Sequence, residues 1–313
     1  MADYSTCYAT DHLFLLFGMD FNYMNAFQNF ENMDRMIKYM NENYGDRYIF
    51  KYSTPSEYVD SINAKNHTWP TKSDDLFPYG DDTDSWWTGY FSSRPGAKAF
   101  VRAGSHILHA SSQLASQAMF DPSTVSKIDK FLNASSNMLN QMGVYQHHDA
   151  VSGTAKQAVA NDYALRLSKA ISQNNEDLYS DLMNLQVSRM SGQEGKWEMC
   201  ERNNGTYKNC PVNSYDLQDG KEFYVSVHNP SSIEVGVAQI SVPNGKFRVQ
   251  EYSVESEKYE DVEAVDVMCY RDSDEKGDEM QNCQMFIKSS IQPRDINLFK
   301  VIVDLSVDLE VEQ

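Results

Sequence analysis

The spacing of apolar residues changes near residue 190, and this change limits what the chain can fold into. Before that point apolar residues recur every three to four positions, as Phe27, Phe30 and Met33 do, which is the period of an amphipathic helix. Beyond residue 196 they alternate with polar residues in short runs between Asn, Pro, Gly and Asp turns. One layer of helices or one sheet cannot use both patterns, so we expect an α+β chain of several domains.

Residues 1–95 alternate between strand and helix patterns. The apolar run 12–18 predicts a buried strand, and the run 48–53 predicts a second one. A helix pattern lies between them, and Ser53-Thr-Pro55 provides a cap and a first-turn proline for another helix. Strands and helices in this order are typical of a parallel α/β sheet, and we predict one here.

Three helical segments with short connections follow in residues 96–190. Ser93-Arg-Pro95 provides a cap and a proline for the first, and the second covers about 122–142. The third begins with a capping box that starts at Thr154. Short links favour antiparallel neighbours, so we predict a three-helix bundle.

Residues 191–313 have the period of two that half-buried strands show. The runs are EFYVSVHNP, VGVAQISVP, FRVQEYSVE, CQMFIKSSI and INLFKVIVDL. An antiparallel β-sandwich, or a portion of one, accounts for them. We expect the acidic stretch 251–279 to be a solvated loop and an edge strand.

The charge balance excludes some classes of partner. Forty-five acidic and 27 basic residues give a net charge of −18, which repels phosphate backbones, so nucleic acid is not expected. No apolar run approaches the ~18–20 residues of a membrane span. No Lys or Arg precedes Arg35, so the first residues do not have the pattern of a signal peptide.

Cysteines and sequons nevertheless favour an oxidising secretory compartment. By spacing, the cysteines pair as Cys200 with Cys210 and Cys269 with Cys283, which leaves Cys7 over. Four reduced surface thiols are the alternative. Glycosylation sequons begin at Asn66, Asn133 and Asn204, although three can occur by chance.

The densest group of polar residues is Gln146-His147-His148-Asp149, between the second and third predicted helices. Imidazole nitrogen and carboxylate oxygen are zinc ligands, and a catalytic zinc site uses about three protein ligands and an open position. A polar helix end, with a histidine stabilising the helix dipole, is the alternative. His106 and His109 form a rival pair without a carboxylate neighbour.

A second candidate is Asp20, which follows the predicted strand 12–18 where parallel-sheet enzymes place active-site groups. Its neighbours Phe17 and Phe21 are apolar, and apolar surroundings raise the pKa of a carboxyl group. A raised pKa suits a general acid. Alternatively, Asp20 caps the helix that begins near Asn25.

The loop 66–94 is rich in aromatic and acidic residues, as in DDLFPYGDD and WWTGYFSSRP. Aromatic faces and carboxylates suit sugars, although packing of the loop onto its domain is the commoner use. The sequence contains no P-loop, dinucleotide fingerprint, GxSxG or HExxH motif, which removes several nucleotide-binding and hydrolase classes.

At these residues the chain resembles the class II α-mannosidases of glycoside hydrolase family 38, nearest the lysosomal branch. The matching segments, in the family's order, are GMDFNYMNA, YSTPSEYV, DDLFPYGDD, WTGYFSSRP and QHHDAVSGTAKQAVANDY. The resemblance implies three parts: the C-terminal remnant of a parallel α/β glycosidase domain in 1–95, a three-helix middle domain in 96–190, and a β-sandwich portion in 191–313.

The resemblance also implies a retaining, zinc-dependent α-mannosidase that removes terminal α-mannose from N-glycan oligosaccharides in the lysosome or vacuole. It assigns His148 to the zinc ion, Asp149 and His147 to the substrate, and Asp20 to general acid/base catalysis. We expect the histidine pair, Asp149 and Asp20 to line one pocket.

One departure from the family concerns its amino-terminal part. The family's zinc-binding His-x-Asp pair and its nucleophilic aspartate have no counterpart before residue 12, and a retaining mechanism needs two carboxyls ~5–5.5 Å apart. We therefore expect residues 1–313 to be inactive alone and to hold zinc weakly or not at all. The expected partner is the missing amino-terminal segment of the same enzyme. Such an incomplete sheet would also aggregate through its open edge. The alternatives are a non-catalytic mannose-binding or structural remnant and, more distantly, a Golgi-type mannosidase.

Overall fold

The computed structural model describes residues 2–203, 207–214, 220–262, 265–273 and 279–304. The chain divides into two compact units, Met1–Phe77 and Pro78–Gln313. The first unit contains helices and connecting segments. The second contains a helical part followed by antiparallel sheets.

The described residues of the first unit form three helices, α1 (Ala2–Ser5), α2 (Ala26–Tyr44) and α3 (Pro55–Asn63). The two longer ones were predicted, and α3 begins with the cap and proline expected of it. The hydroxyl of Thr54 accepts from the Glu57 N–H at 3.2 Å, and the Glu57 carboxylate accepts from the Thr54 N–H at 3.3 Å. This reciprocal capping box satisfies two backbone donors at the start of the helix by local contacts alone.

The strands predicted at 12–18 and 48–53 are wrong. Neither segment has strand structure, and the described residues of the first unit form no sheet. The side chains of Leu16 and Ile49 are 82% and 85% exposed, so the apolar runs are not buried either. A strand exists only through hydrogen bonds to a neighbour, and an apolar run alone does not supply one. The predicted parallel sheet is therefore not formed here.

The second unit begins with a hairpin of β1 (Gly80–Asp82) and β2 (Ser85–Trp86). Its helices are α4 (Pro95–Ala118), α5 (Ile128–Tyr145), α6 (Gln157–Asn174) and α7 (Ser180–Ser191). A π-helical turn, Asn175–Tyr179, joins α6 to α7 as one continuous helix, so the three predicted helical segments are present. Their fully buried side chains include Leu114, Met138, Leu167, Leu178 and Leu182.

Two predicted helix caps are wrong, because the hydroxyls bond instead to residues of the loop between α5 and α6. Ser93 Oγ donates to the carbonyl of Gly153 at 2.9 Å, and Arg94 stands at the cap position of α4. Thr154 Oγ1 donates to Oδ1 of Asp149 at 2.7 Å, and α6 begins without a side-chain cap. Both hydroxyls thus stabilise the loop between α5 and α6.

Beyond the β1–β2 hairpin, the strands in the described part of the second unit form two larger antiparallel sheets and a second small hairpin. The sheets have the orders β5-β11-β7-β8 and β6-β10-β9. The strands are β3 (Glu201–Asn203), β4 (Tyr207–Asn209), β5 (Glu222–His228), β6 (Val235–Val242), β7 (Phe247–Ser253), β8 (Lys258–Asp261), β9 (Val265–Ser273), β10 (Glu279–Ile291) and β11 (Ile296–Val303). All five predicted strands are confirmed, and the acidic stretch supplies the edge strands β8 and β9.

The core of the β region takes side chains from both larger sheets. Ile240 and Met285 of one sheet belong to the same buried cluster as Val249 and Phe299 of the other, which is sandwich packing. Helix α7 lies against the four-stranded sheet, where Met183 and Val187 pack with Leu298. The helical part and the sandwich therefore share a core within the second unit.

Both cysteine pairs predicted from spacing are disulfides in the structure. Cys200 and Cys210 have Cα atoms 4.4 Å apart. Cys269 and Cys283 lie directly opposite each other on β9 and β10. Among the described residues, no helix combines the length and apolar character that crossing a bilayer requires.

Candidate metal and sugar site

The segment 146–156, which we call the histidine loop, connects α5 to α6. Its backbone folds on itself through three hydrogen bonds: Ala150 N–H to the His147 carbonyl at 2.9 Å, Gly153 N–H to the Ala150 carbonyl at 3.0 Å, and Ala155 N–H to the Asp149 carbonyl at 3.0 Å. The first two bonds each close a turn between residues i and i+3, so the chain reverses direction within a few residues. The histidine loop is therefore a compact element.

The side chains of His147, His148 and Asp149 form one cluster. Nε2 of His147 lies 3.3 Å from Oδ2 of Asp149, and Nε2 of His148 lies 3.6 Å from the same oxygen. The two imidazole centroids are 4.3 Å apart. Adjacent histidines on a regular helix point in different directions, but these two follow the end of α5, so both reach the carboxylate.

The carboxylate of Asp149 is held in its ionised form. The Thr154 hydroxyl donates to Oδ1, and this bond, with the charge of His148 and the hydrogen bond from His147, lowers the pKa of Asp149 from its ordinary value. Hydrogen bonds to the charged form favour it over the neutral acid. In its ionised form Asp149 acts only as a hydrogen-bond acceptor.

The donor set of this cluster fits a zinc ion in type. Each of the three residues offers one ligand atom, and these atoms lie within 4.8 Å of one another. Imidazole nitrogen with carboxylate oxygen is a common zinc combination. The side chain of His148 is 85% exposed, so an ion can reach it from solvent. The three residues are consecutive in the chain, and in the described part of the structure they form the one such group.

Sequence reasoning missed the residues that hold the histidine loop in place. Arg94 and Lys98, at the start of α4, donate side-chain hydrogen bonds to carbonyl groups of the loop. These partners lie 53 to 61 positions away in the sequence, so no local pattern connects them. The motifs WTGYFSSRP and QHHDAVSGT, each noted separately, are thus parts of one local structure.

Asp20 lies in the first unit, in a turn that precedes α2, and its side chain is exposed. Its backbone carbonyl accepts from the Asn22 side chain at 3.4 Å. The flanking Phe17 and Phe21 are exposed, so they do not enclose the carboxylate as expected. The cap position of α2 is Asn25, which makes no capping bond, so the alternative role of Asp20 as a cap is also not formed. Its predicted role as acid/base, and a shared pocket with the histidine loop, stay predictions.

Other predicted site residues are exposed. His106 and His109 lie on the solvent side of α4. Asn66 follows α3 in a left-handed conformation and Asn133 lies on an exposed position of α5, whereas Asn204 lies outside the described residues.

A cavity of about 590 Å³ in the second unit lies elsewhere, against Tyr179, Trp197 and His228, and includes none of the cluster residues.

The aromatic loop is exposed rather than packed. Within the second unit, Trp86 and Trp87 are exposed, and the Trp87 ring lies 5.7 Å from the ring of Tyr79 in a tilted arrangement. Exposed aromatic faces are available for stacking on sugar rings.

Family models match most of the first two thirds of the chain. The glycosyl hydrolases family 38 N-terminal domain matches residues 1–82, and the alpha mannosidase middle domain matches residues 85–185. The second match contains the whole histidine loop and its anchors on α4.

Comparison with known proteins finds lysosomal alpha-mannosidases. That of Dictyostelium discoideum is 45% identical over 169 residues, which cover 53% of this chain and 16% of the relative. That of Homo sapiens is 35% identical over 248 residues, covering 78% of this chain and 23% of the relative. A solved structure of a glycosyl hydrolase family 38 protein from Enterococcus faecalis has a TM-score of 0.48 at 13% identity, covering 99% of this chain and 34% of that one.

The chain thus spans about a fifth of the length of these curated relatives. The two family models follow each other in the order of one enzyme and together account for more than half of the residues. The chain belongs to glycosyl hydrolase family 38, and its residues 1–82 and 85–185 match the N-terminal domain of that family and the alpha mannosidase middle domain.

Proposed function

We propose that this chain is part of a retaining, zinc-dependent α-mannosidase that removes terminal α-linked mannose from N-glycans in the lysosome or vacuole. The observation that carries the proposal is the cluster of His147, His148 and Asp149, inside a segment that matches the alpha mannosidase middle domain. The disulfides fit an oxidising secretory compartment, and the named relatives are lysosomal.

Each residue of the cluster has a role that its chemistry supports. His148 is the more exposed imidazole and supplies a nitrogen to the metal. Asp149, ionised and oriented by Thr154, accepts hydrogen bonds from sugar hydroxyls. His147 lies beside the same carboxylate and contributes a further polar contact to the substrate. When bound, zinc supplies a Lewis acid that orients and polarises sugar hydroxyls.

Asp20 is the proposed general acid/base. A carboxylic acid in this role donates its proton to the leaving glycosidic oxygen and then removes a proton from the water that completes hydrolysis. In a retaining enzyme a second carboxylate must attack the sugar from ~5–5.5 Å away, and the family's nucleophile has no assigned position in residues 1–313. The sequence His147-His148-Asp149 does have His-x-Asp spacing, but Asp149 is already assigned to substrate hydroxyls.

We further propose that residues 1–313 alone hold zinc weakly and do not hydrolyse α-mannosides. His148 is the one residue of this chain assigned to the metal, whereas a catalytic zinc site uses about three protein ligands. A proton donor without a nucleophile cannot form the glycosyl-enzyme intermediate.

The test is to express residues 1–313 and measure zinc per chain by elemental analysis. Hydrolysis of an aryl α-mannoside is assayed with and without added zinc, and binding of methyl α-mannoside is followed by NMR. We expect weak zinc binding and weak sugar binding that His148→Ala and Asp149→Asn abolish, whereas the control His109→Ala leaves both unchanged.

Two results would contradict parts of the proposal. Stoichiometric zinc with turnover that Asp20→Asn abolishes would show that this chain supplies its own nucleophile. Sugar binding that persists in His148→Ala and Asp149→Asn would move the sugar site away from the histidine loop. Binding that the two variants abolish, in a full-length protein without turnover, would favour the non-catalytic mannose-binding alternative.

A further inference from the structure

We propose that Arg94 and Lys98 are positioning residues for the His147-His148-Asp149 cluster. They act on it through the backbone of the histidine loop and through Thr154. The inference rests on the proposed function, in which the cluster binds metal and sugar.

Arg94 fixes the residues on both sides of Thr154. Its Nη1 donates to the carbonyl of Gly153 at 2.8 Å and to the carbonyl of Ala155 at 2.7 Å. Hydrogen bonds from a charged donor are stronger than neutral ones, and the planar guanidinium holds two acceptors at a set spacing. The peptide groups that flank Thr154 are thereby held, and the Thr154 hydroxyl in turn donates to Asp149 at 2.7 Å.

Lys98 fixes the preceding residues of the loop. Its ammonium group donates to the carbonyls of Val151 and Ser152, both at 2.9 Å, and to the carbonyl of Ser93 at 2.6 Å. An ammonium group has three donors, so these contacts use all of them. Ser152 Oγ donates to the carbonyl of His148, which connects the lysine to the histidine pair.

Close backbone contact makes this arrangement rigid. Gly153 has φ +76°, and a Cβ atom there would lie 2.5 Å from the carbonyl oxygen of Ser93. Only glycine allows both this conformation and this approach. The start of α4 and the histidine loop are consequently held against each other along the backbone as well as through Arg94 and Lys98.

The positioning role of Arg94 is testable because Arg94 acts on Asp149 through one group, the Thr154 hydroxyl. If Arg94 acts by holding Thr154, and Thr154 acts by orienting Asp149, then loss of either residue removes the same contribution. A residue that only stabilised the fold would instead lower stability and act independently of Thr154.

The experiment uses residues 1–313 and zinc ions as the probe. Zinc is titrated to millimolar concentration, and the imidazole NMR signals of His148 report binding. The variants are Arg94→Gln, Thr154→Val and their double variant. Arg166→Gln is the matched control, because Arg166 pairs with Asp162 on α6 and has no described contact with the loop.

We expect Arg94→Gln and Thr154→Val each to weaken zinc binding about tenfold, as loss of a ligand-orienting partner does, and the double variant to be no weaker than either. Added guanidinium restores zinc binding in the Arg94→Gln variant. The substitution Arg94→Lys does not preserve zinc binding. Arg166→Gln binds zinc as the parent chain does, and urea unfolding midpoints show that all variants fold.

The inference would be overturned if Arg94→Gln leaves the zinc affinity unchanged while His148→Ala abolishes zinc binding. That result would leave the proposed function intact. If the parent chain shows no zinc response, the metal role proposed for this chain fails. Hydrogen exchange then decides the inference. Faster exchange of the Ala155 amide in Arg94→Gln, at unchanged global stability, supports positioning, and unchanged exchange overturns it.

Discussion

The two units of this chain are both rich in apolar and aromatic residues, but only the second one buries them. In the second unit Leu182, Phe299 and Met285 are fully buried. In the first, helices α2 and α3 have no buried residue, and Phe27 is 77% exposed. Composition is therefore not what builds a core. Helices form from local contacts, but burial requires a second layer within reach, and the described residues of the first unit do not provide one.

This difference changes the expected source of aggregation. The sequence predicted an open sheet edge, but the described residues of the first unit have no sheet. Its exposed aromatic and apolar side chains, among them Leu16, Phe21 and Met24, are the physical source instead.

Two phenylalanines, one in each unit, test whether burial determines how much a side chain contributes to stability. Phe299→Ala removes a side chain with no exposed surface and should lower the free energy of unfolding by about 3–5 kcal/mol. Phe27→Ala removes the same atoms from an exposed position and should change it by less than about 0.5 kcal/mol. Urea unfolding followed by circular dichroism measures both. Equal losses would mean that the face of α2 is covered in solution.

His228 of the second unit is a partly buried titratable group. Burial lowers the pKa of His228 to about 4, against 6.5 for an exposed histidine, and its Nε2 lies 2.6 Å from Oε1 of Gln113. Between pH 6.5 and 4 the unfolded chain therefore takes up a proton that the folded chain does not. Stability should fall over this window by on the order of 2 kcal/mol.

Urea unfolding at pH 7, 5 and 4 measures this loss, and His228→Gln should flatten it because glutamine does not titrate. A pH dependence that persists in His228→Gln would place the responsible group elsewhere.

The smallest effect is expected at the capping box of α3. Thr54→Ala removes the acceptor for the Glu57 N–H and should destabilise this helix by about 1 kcal/mol. Amide exchange in residues 56–60 should accelerate, whereas the unfolding of the second unit stays the same. Thr54→Ser, which keeps the hydroxyl, is the control. A shift of the whole unfolding curve would show that the two units unfold together.

Local signals were enough to predict α2, α3 and the five strands of the sandwich, because caps, prolines and alternation act over a few residues. The runs 12–18 and 48–53 were predicted wrongly because a strand depends on partners that its own residues do not encode. The candidate cluster itself was readable from Gln146-His147-His148-Asp149. Its anchors Arg94 and Lys98 were not, because charged residues at the start of a helix have many ordinary uses.

The π-helical turn at Asn175–Tyr179 determines which changes of length this chain can accept. The helix from Gln157 to Ser191 is a rod on the order of 50 Å long, with the histidine loop at one end and the sandwich at the other. A π turn contains one more residue than an α turn, so it accommodates an extra residue between α6 and α7 without rotating their buried faces relative to each other. Deletion of one residue inside this turn would leave the buried faces of α6 and α7 in their present orientation. Deletion of one residue elsewhere in the helix would rotate Leu167 or Val187 away from its core by about 100°.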